Sequence, residues 1–189
     1  RRRSPRSGSA AQARDALLER RVGREEAHDP VRVGDLERRD RGLRVVLVTG
    51  RILAELRDSF PEVDEHVDAV VGENGAVVTG PAGTRLLAPP VAGELAAALA
   101  ARGVRCRRGE VLVACGGDDE HAVLDEVRRL GLDCQLVRNR SELMVLPAGV
   151  SKGVGLVEAL GDLGLSAHNA IAIGDAENDH ALIEVAGVG

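Results

Sequence analysis

Aromatic side chains are almost missing from this sequence: Phe60 stands alone, with no tryptophan and no tyrosine. Proteins that hold single-stranded nucleic acid by base stacking need aromatic platforms, so the sequence argues against that mode of binding. An excess of positive charge is also lacking. The formal net charge is −5, which removes any general pull toward nucleic acid or an anionic membrane. No apolar run approaches the roughly 20 residues of a membrane-spanning helix, and the start carries no signal-peptide stretch. The three cysteines (Cys106, Cys115 and Cys134) are odd in number and have no metal-ligand spacing. They fit reduced, structural thiols in a cytoplasm. Lysine is scarcest of all: among 25 basic residues every one but Lys152 is arginine. A compact ammonium approaches a phosphate oxygen and a carboxylate together, where a guanidinium is a wide planar fork. Chance is the other account of a single lysine.

What is present is a globular composition. Apolar residues make up 44% of the 189, nearly all of them Ala, Val and Leu. A chain of this length holds one domain, or a domain with a small insertion, and buries roughly 70% of its unfolded surface.

Residues 1–42 differ from the rest. Residues 1–9 are basic and of low complexity, and 15–26 carry charge at nearly every position, enough for a weak helix at most. A disordered tail is the expectation; a phosphate-binding arm is the alternative. Patterned sequence starts at the β-branched run 43–48, read as a central parallel strand. A helix carrying Ile52, Leu53, Leu56 and Phe60 on one face follows and stops at Pro61. Strands are predicted at 68–71 and 76–78, around the turn-rich Glu73-Asn74-Gly75. From residue 84 a separate small α+β module is predicted: a helix over 91–102, a strand over 110–115, a helix to Leu130 and strands at 134–137 and 143–146. A helix over 150–163 then carries Lys152 in its first turn, with Val154, Val157 and Leu160 expected inward. Residues 170–173 read as a buried parallel strand and 180–186 as a helix.

Between those last two elements, Asp175, Glu177, Asn178 and Asp179 crowd into a strand-to-helix turn. Such a cluster needs a cation or solvent between its carboxylates, and a hard divalent cation suits oxygen ligands. A solvated acidic turn capping a helix is the simpler alternative. Thr49 ends the first strand, with its hydroxyl and the N–H groups of Gly50 and Arg51 set to bond an anion. A parallel sheet gathers these strand ends, and Lys152, on one edge. A hydroxyl, an ammonium and a carboxylate-held cation in one pocket describe a phosphoryl site. One charge about 4 Å away is worth roughly 4 kcal/mol at an effective dielectric near 20, enough to matter for rate.

Val48-Thr49-Gly50-Arg51, Glu73-Asn74-Gly75-Ala76, Ser151-Lys152-Gly153 and Gly174-Asp175-Ala176-Glu177-Asn178-Asp179 resemble the motifs of the haloacid dehalogenase superfamily. The resemblance is to its Cof-like, sucrose-phosphatase-like branch, and it runs from about residue 43 to the end. It implies an α/β fold: a Rossmannoid parallel-sheet core over 43–83 and 150–189 with a small α+β cap domain over 84–149. It implies a Mg²⁺-dependent phosphatase acting on a small phosphorylated substrate, a sugar phosphate at the family level. Thr49 and Lys152 would be catalytic, binding and neutralising the phosphoryl group. Asp175 would hold Mg²⁺, Asp179 would support that metal shell, and Asn74 and Asn178 would contact the substrate side with Gly50 and Arg51. Asn74 as a plain turn residue is the alternative reading.

The family's first motif, an Asp-x-Asp pair after a hydrophobic strand, does not occur in residues 1–42. One βα unit, about 30 residues, would place it near residues 10–20, where no apolar strand precedes Asp15 and Leu17 stands at the second position. Without that nucleophile the covalent route to hydrolysis is closed. An upstream frame change or a misplaced start is one expectation for this segment, and the chain stops abruptly after Gly189 by the family's pattern. Three readings follow: a phosphatase lacking its nucleophile motif, a non-catalytic remnant binding a phosphorylated ligand or a protein, and a fragment without a stable fold.

Overall fold

The computed structural model describes residues 42–139 and 141–189, so nearly all of the atypical basic and charged 1–42 segment lies outside the described residues. The 43–48 run forms β1 over Val46–Val48. Beyond it Ile52, Leu53 and Leu56 enter the core through α1 (Leu53–Ser59), and a short α2 (Val63–His66) follows Pro61. β2 (Ala69–Gly72) is buried along its whole length, as its apolar run requires, and lies parallel to β1 with Leu47 opposite Val70. β3 (Val77–Gly80) and β4 (Gly83–Leu86) add antiparallel, completing a sheet of order β1-β2-β3-β4. The expected boundary at residue 84 falls inside β4.

A second sheet is wholly antiparallel. It contains β5 (Cys106–Arg108), β6 (Val113–Gly116), β7 (Cys134–Asn139) and β8 (Glu142–Pro147) in the order β5-β6-β8-β7. The period of two decides its packing. Val113, Cys115, Leu143 and Val145 face α3 (Gly93–Ala101) and α4 (Glu120–Leu130), closing a core with Leu95, Leu99, Val123 and Val127. Ala114, Met144 and Leu146 join instead the core built around Leu47, Ile52 and Leu53. Both faces are therefore covered. The sequence had assigned 110–115 to one strand; residues 110–112 are instead the turn leading into β6, and β5 escaped notice because Arg107 and Arg108 make it polar and exposed.

On α4, buried Glu126 bonds Arg129 at 2.7 Å and Arg102, from just after α3, at 3.2 Å. Hydrogen bonding to Arg129, with Arg102 adding to it against the cost of burial, lowers its pKa. A carboxylate held below its unfolded value stabilises the fold above the ordinary carboxylate range and ceases to do so as pH falls through its lowered value. Glu126→Gln should therefore lower the thermal midpoint near neutral pH, and the gap to the parent chain should close in acid; melting curves across pH 2–7 measure it.

α5 (Lys152–Asp162) crosses the first sheet. Glycine, more than valine, sets its rotation. A Cβ on Gly155 would lie 2.4 Å from Val71 Cγ1 and one on Gly153 would lie 2.2 Å from the Ala181 carbonyl oxygen. That bare face presses inward, burying Leu156, Ala159 and Leu160. Val154 and Val157, expected inward, are left 47% and 46% exposed. A second expectation is also overturned. Residues 170–173 form no strand in the sheet: Ile171 makes a single bridge to Val188, and Ile171 and Ile173 are 75% and 90% exposed. Among the described residues β1 pairs only with β2, so no strand beside Ala170–Ile173 offers hydrogen bonds. Only Ala172 is buried, with Leu182 of α6 (His180–Val185). No helix among the described residues is long and apolar enough to cross a membrane.

Candidate functional site

At the carboxyl end of β1 the chain zips to the turn after β2. Thr49 donates its N–H to the Val71 carbonyl, and its own carbonyl accepts from Asn74 N–H at 3.0 Å. The Arg51 carbonyl accepts from Glu73 N–H, while Thr49 Oγ1 accepts from Arg51 N–H at 3.2 Å. The turn itself is unusual. Glu73 (φ 53°), Asn74 (φ 57°) and Gly75 (φ 100°) all lie in the left-handed region. Two consecutive non-glycine residues there need support from their surroundings. Part of it is steric: a Cβ on Gly75 would sit 1.9 Å from the Ser151 carbonyl oxygen, so only glycine lets the start of α5 settle on this turn. Ser151 caps that helix by accepting from Val154 N–H, and Lys152 is its first residue.

That contact delivers Lys152 into the interior, where it is 5% exposed. Its Nζ donates to Asp179 Oδ1 at 2.6 Å and to Asn178 Oδ1 at 3.1 Å. Asn178 Nδ2 donates in turn to Asn74 Oδ1 at 3.0 Å. The other oxygen of Asp179 accepts the N–H groups of Asp175 and Ala176, at 3.2 and 3.0 Å. Both Asn74 and Asp179 are buried. Gly50 completes the cluster, since a side chain there would meet Asn178 Nδ2 at 3.8 Å and Met144 Sδ, from the second sheet, at 3.5 Å.

The structure thus joins Lys152, Asp179, Asn178, Asn74, Gly50 and Thr49 in one continuous set of contacts. Two others join it through their backbone N–H groups alone, and their side chains stay outside. Asp175 is exposed, and the Arg51 guanidinium reaches along α1 to Ser59 Oγ at 3.1 Å. The acidic turn is consequently less of a cluster than its sequence suggests. Asp179 is committed to Lys152 and to backbone donors, and among the described residues no three His, Cys, Asp or Glu side chains gather as cation ligands. Oxygen donors suit a hard cation such as Mg²⁺, but the described residues do not by themselves complete a site for one.

Sequence reasoning missed Glu73. Its carboxylate is fully buried and accepts three backbone N–H groups from the second sheet's turn: Glu110 and Val111 at 2.8 Å and Leu112 at 3.0 Å. These donors are tied up by a side chain, which is why 110–112 cannot extend β6. A Cβ on Gly109 would fall 2.4 Å from Glu73 Oε1, so that glycine is required for the carboxylate to enter. The one local signal was an acid closing a wholly apolar strand. Its partners lie 37 to 39 residues further on and have no side-chain signature.

Residues 133–189 match the family model described as haloacid dehalogenase-like hydrolase. The chain is 33% identical to the phosphoglycolate phosphatase of Halorubrum lacusprofundi, over 76% of its own length and 67% of that protein's. It is 29% identical to the phosphoglycolate phosphatase of Methanoculleus marisnigri, covering 79% of this chain and 69% of that one. Among solved structures, the sucrose-phosphatase of Synechocystis sp., in complex with sucrose and phosphate, superimposes with a TM-score of 0.60 at 16% identity, covering 95% of this chain and 75% of that one. That likeness concerns the fold.

Proposed function

We propose, from the premise that this chain belongs to the haloacid dehalogenase-like hydrolases, that it forms the phosphoryl-binding part of a Mg²⁺-dependent phosphatase for a small phosphomonoester. One observation carries the reading: a buried lysine held by Asp179 and Asn178 beside the carboxyl end of a parallel strand. Lys152 would neutralise the phosphoryl oxygens, and its capture by two fixed partners keeps the ammonium in place without reorganisation. Thr49 would offer its hydroxyl, and Gly50 its N–H, to the same group. Asn178, oriented by Asn74 and Lys152, would be a polar neighbour of the bound phosphoryl group. The second sheet, whose Met144 meets Gly50, is the cap that would close over the substrate. Two relatives carry the name phosphoglycolate phosphatase, which favours a small phosphorylated acid beside the sugar phosphates suggested by the family resemblance.

Magnesium would supply charge neutralisation at the phosphoryl group. Asp175 would be this chain's carboxylate toward it, with Asp179 holding the turn by its bonds to Asp175 and Ala176 N–H. No Asp-x-Asp occurs in residues 1–42. In the family that pair follows a strand; among the described residues β1 pairs only with β2, which is consistent with a place for such a strand on its other side. The absent pair favours a second reading, a non-catalytic protein that binds a phosphorylated ligand.

Phosphate release from phosphoglycolate and from a hexose phosphate, with and without Mg²⁺, separates the two. Mg²⁺-dependent release that disappears in Asp175→Asn supports the enzyme. Ligand binding by calorimetry without any release supports the binding protein. Neither binding nor release would sink both.

A further inference from the structure

Cys106 and Cys115 stand directly opposite one another on the antiparallel strands β5 and β6. Their Sγ atoms are 3.0 Å apart. Directly opposed residues on such strands have Cα atoms roughly 4.5–5.5 Å apart, inside the roughly 4.4–6.8 Å that disulfides span. Joining the sulfurs therefore needs side-chain adjustment and no backbone movement. Cys106 is half-buried and Cys115 buried, and both border an open depression of about 790 Å³ lined also by Arg105, Arg107, Gly116 and Glu142, so Cys106 is the more accessible of the two. The remaining thiol, Cys134, lies on β7 at the opposite edge of the sheet, opposite Pro147.

We propose that Cys106 and Cys115 form a redox-active dithiol that closes reversibly to a cross-strand disulfide by exchange with a small-molecule disulfide, stapling the hairpin whose turn grips Glu73. The Cys106 thiolate attacks one sulfur of the reagent, whose S–S bond breaks and releases one thiolate. Cys115 then loses its proton to solvent and attacks the Cys106 sulfur of the mixed disulfide, releasing the second thiolate. Two thiols are oxidised to one disulfide, and one reagent disulfide is reduced to two thiols. Burial pushes the Cys115 thiol well above its ordinary range, and its hydrogen bond with Cys106 adds to this. The second step is therefore slow at neutral pH and accelerates as pH rises.

The consequence lies at the other end of the hairpin. Two register pairs, Arg107 with Ala114 and Arg108 with Val113, separate the thiols from the turn, and that turn supplies the Glu110, Val111 and Leu112 donors to Glu73. A covalent tie at the open end restrains the only element that joins Glu73 to the second sheet through those bonds. The switch would thus act on the junction of the two sheets.

The test equilibrates the full chain with oxidised glutathione and maps the product by thiol counting and peptide mass spectrometry. Free thiols should fall from three to one, with the linkage between Cys106 and Cys115 and full reversal by dithiothreitol. The thermal midpoint should rise by about 5 °C. Amide exchange at 110–112 should slow at least tenfold. Cys106→Ser should lose no thiol to an intrachain bond. A linkage involving Cys134, a disulfide-linked dimer, or three thiols unchanged in oxidised glutathione would each overturn the proposal. A bond that forms without slowing exchange at 110–112 would overturn its coupling to Glu73.

Discussion

Replacing Lys152 by methionine should remove about 3–5 kcal/mol of folding stability, together with binding of a phosphorylated ligand. The substitution keeps most of the side-chain volume, so the loss is electrostatic. Asp179 would remain 6% exposed with its Oδ2 bonded to two N–H groups and its Oδ1 facing no cation. Breaking one partner from a buried ion pair carries a cost of that size because the surviving charge is left uncompensated. Urea unfolding measures it. Asp179→Asn in the same chain should return part of the loss, because a neutral amide no longer needs the ammonium. The double variant should therefore be more stable than the sum of the single effects by about 1–3 kcal/mol. A cost below about 1 kcal/mol for Lys152→Met would place the pair among ordinary surface salt bridges and remove the basis of the proposed phosphoryl site.

Glu73→Ala should be the second most damaging change, at about 3 kcal/mol or more. It orphans the N–H groups of Glu110, Val111 and Leu112, and each unsatisfied buried donor costs about 1–3 kcal/mol, partly relieved where water can enter. The effect should be localised. Amide exchange at 110–112 should accelerate far more than exchange in β2, because these three N–H groups lose their acceptor while β2 keeps its ladder. Glu73→Gln retains one acceptor and turns the other oxygen into a donor facing N–H groups, so it should fall between. Arg107 offers a useful contrast. It bridges Glu55 of α1 and Glu142 of β8 across the same junction, but on the surface. Arg107→Ala should cost no more than about 1 kcal/mol. Equal effects from Arg107→Ala and Glu73→Ala would contradict the clamp.

Much of the architecture was readable in the chain. The β-branched runs before Thr49 and before Glu73 became a parallel pair, and the glycines after α3, α4 and α5 stopped their helices, Gly131 in the left-handed conformation that ends α4. Placing Thr49 at a strand end and Lys152 at a helix start was equally legible, because both follow from local punctuation. The errors share a different origin. Val154 and Val157 are apolar at helical spacing, yet the helix turned its glycine face inward because the sheet and the Gly75 turn leave no room for a Cβ. Residues 170–173 have the composition of a buried strand, yet a strand exists only where a neighbour takes up its hydrogen bonds. Glu110 to Leu112 lost their place in β6 to a carboxylate far back in the sequence.

The sequence by itself determined most of the elements and turns, and it placed Thr49 at a strand end and Lys152 at a helix start. Those depend on side-chain periodicity, glycine and proline, and act within a few residues. Only the tertiary structure decided what the polar residues do. It assigned Asp179 to Lys152 and to its own turn, left Asp175 exposed, and made Glu73 a buried polar link between the two sheets. A charged group's role depends on which partners share its burial, and no local pattern records partners that lie tens of residues away.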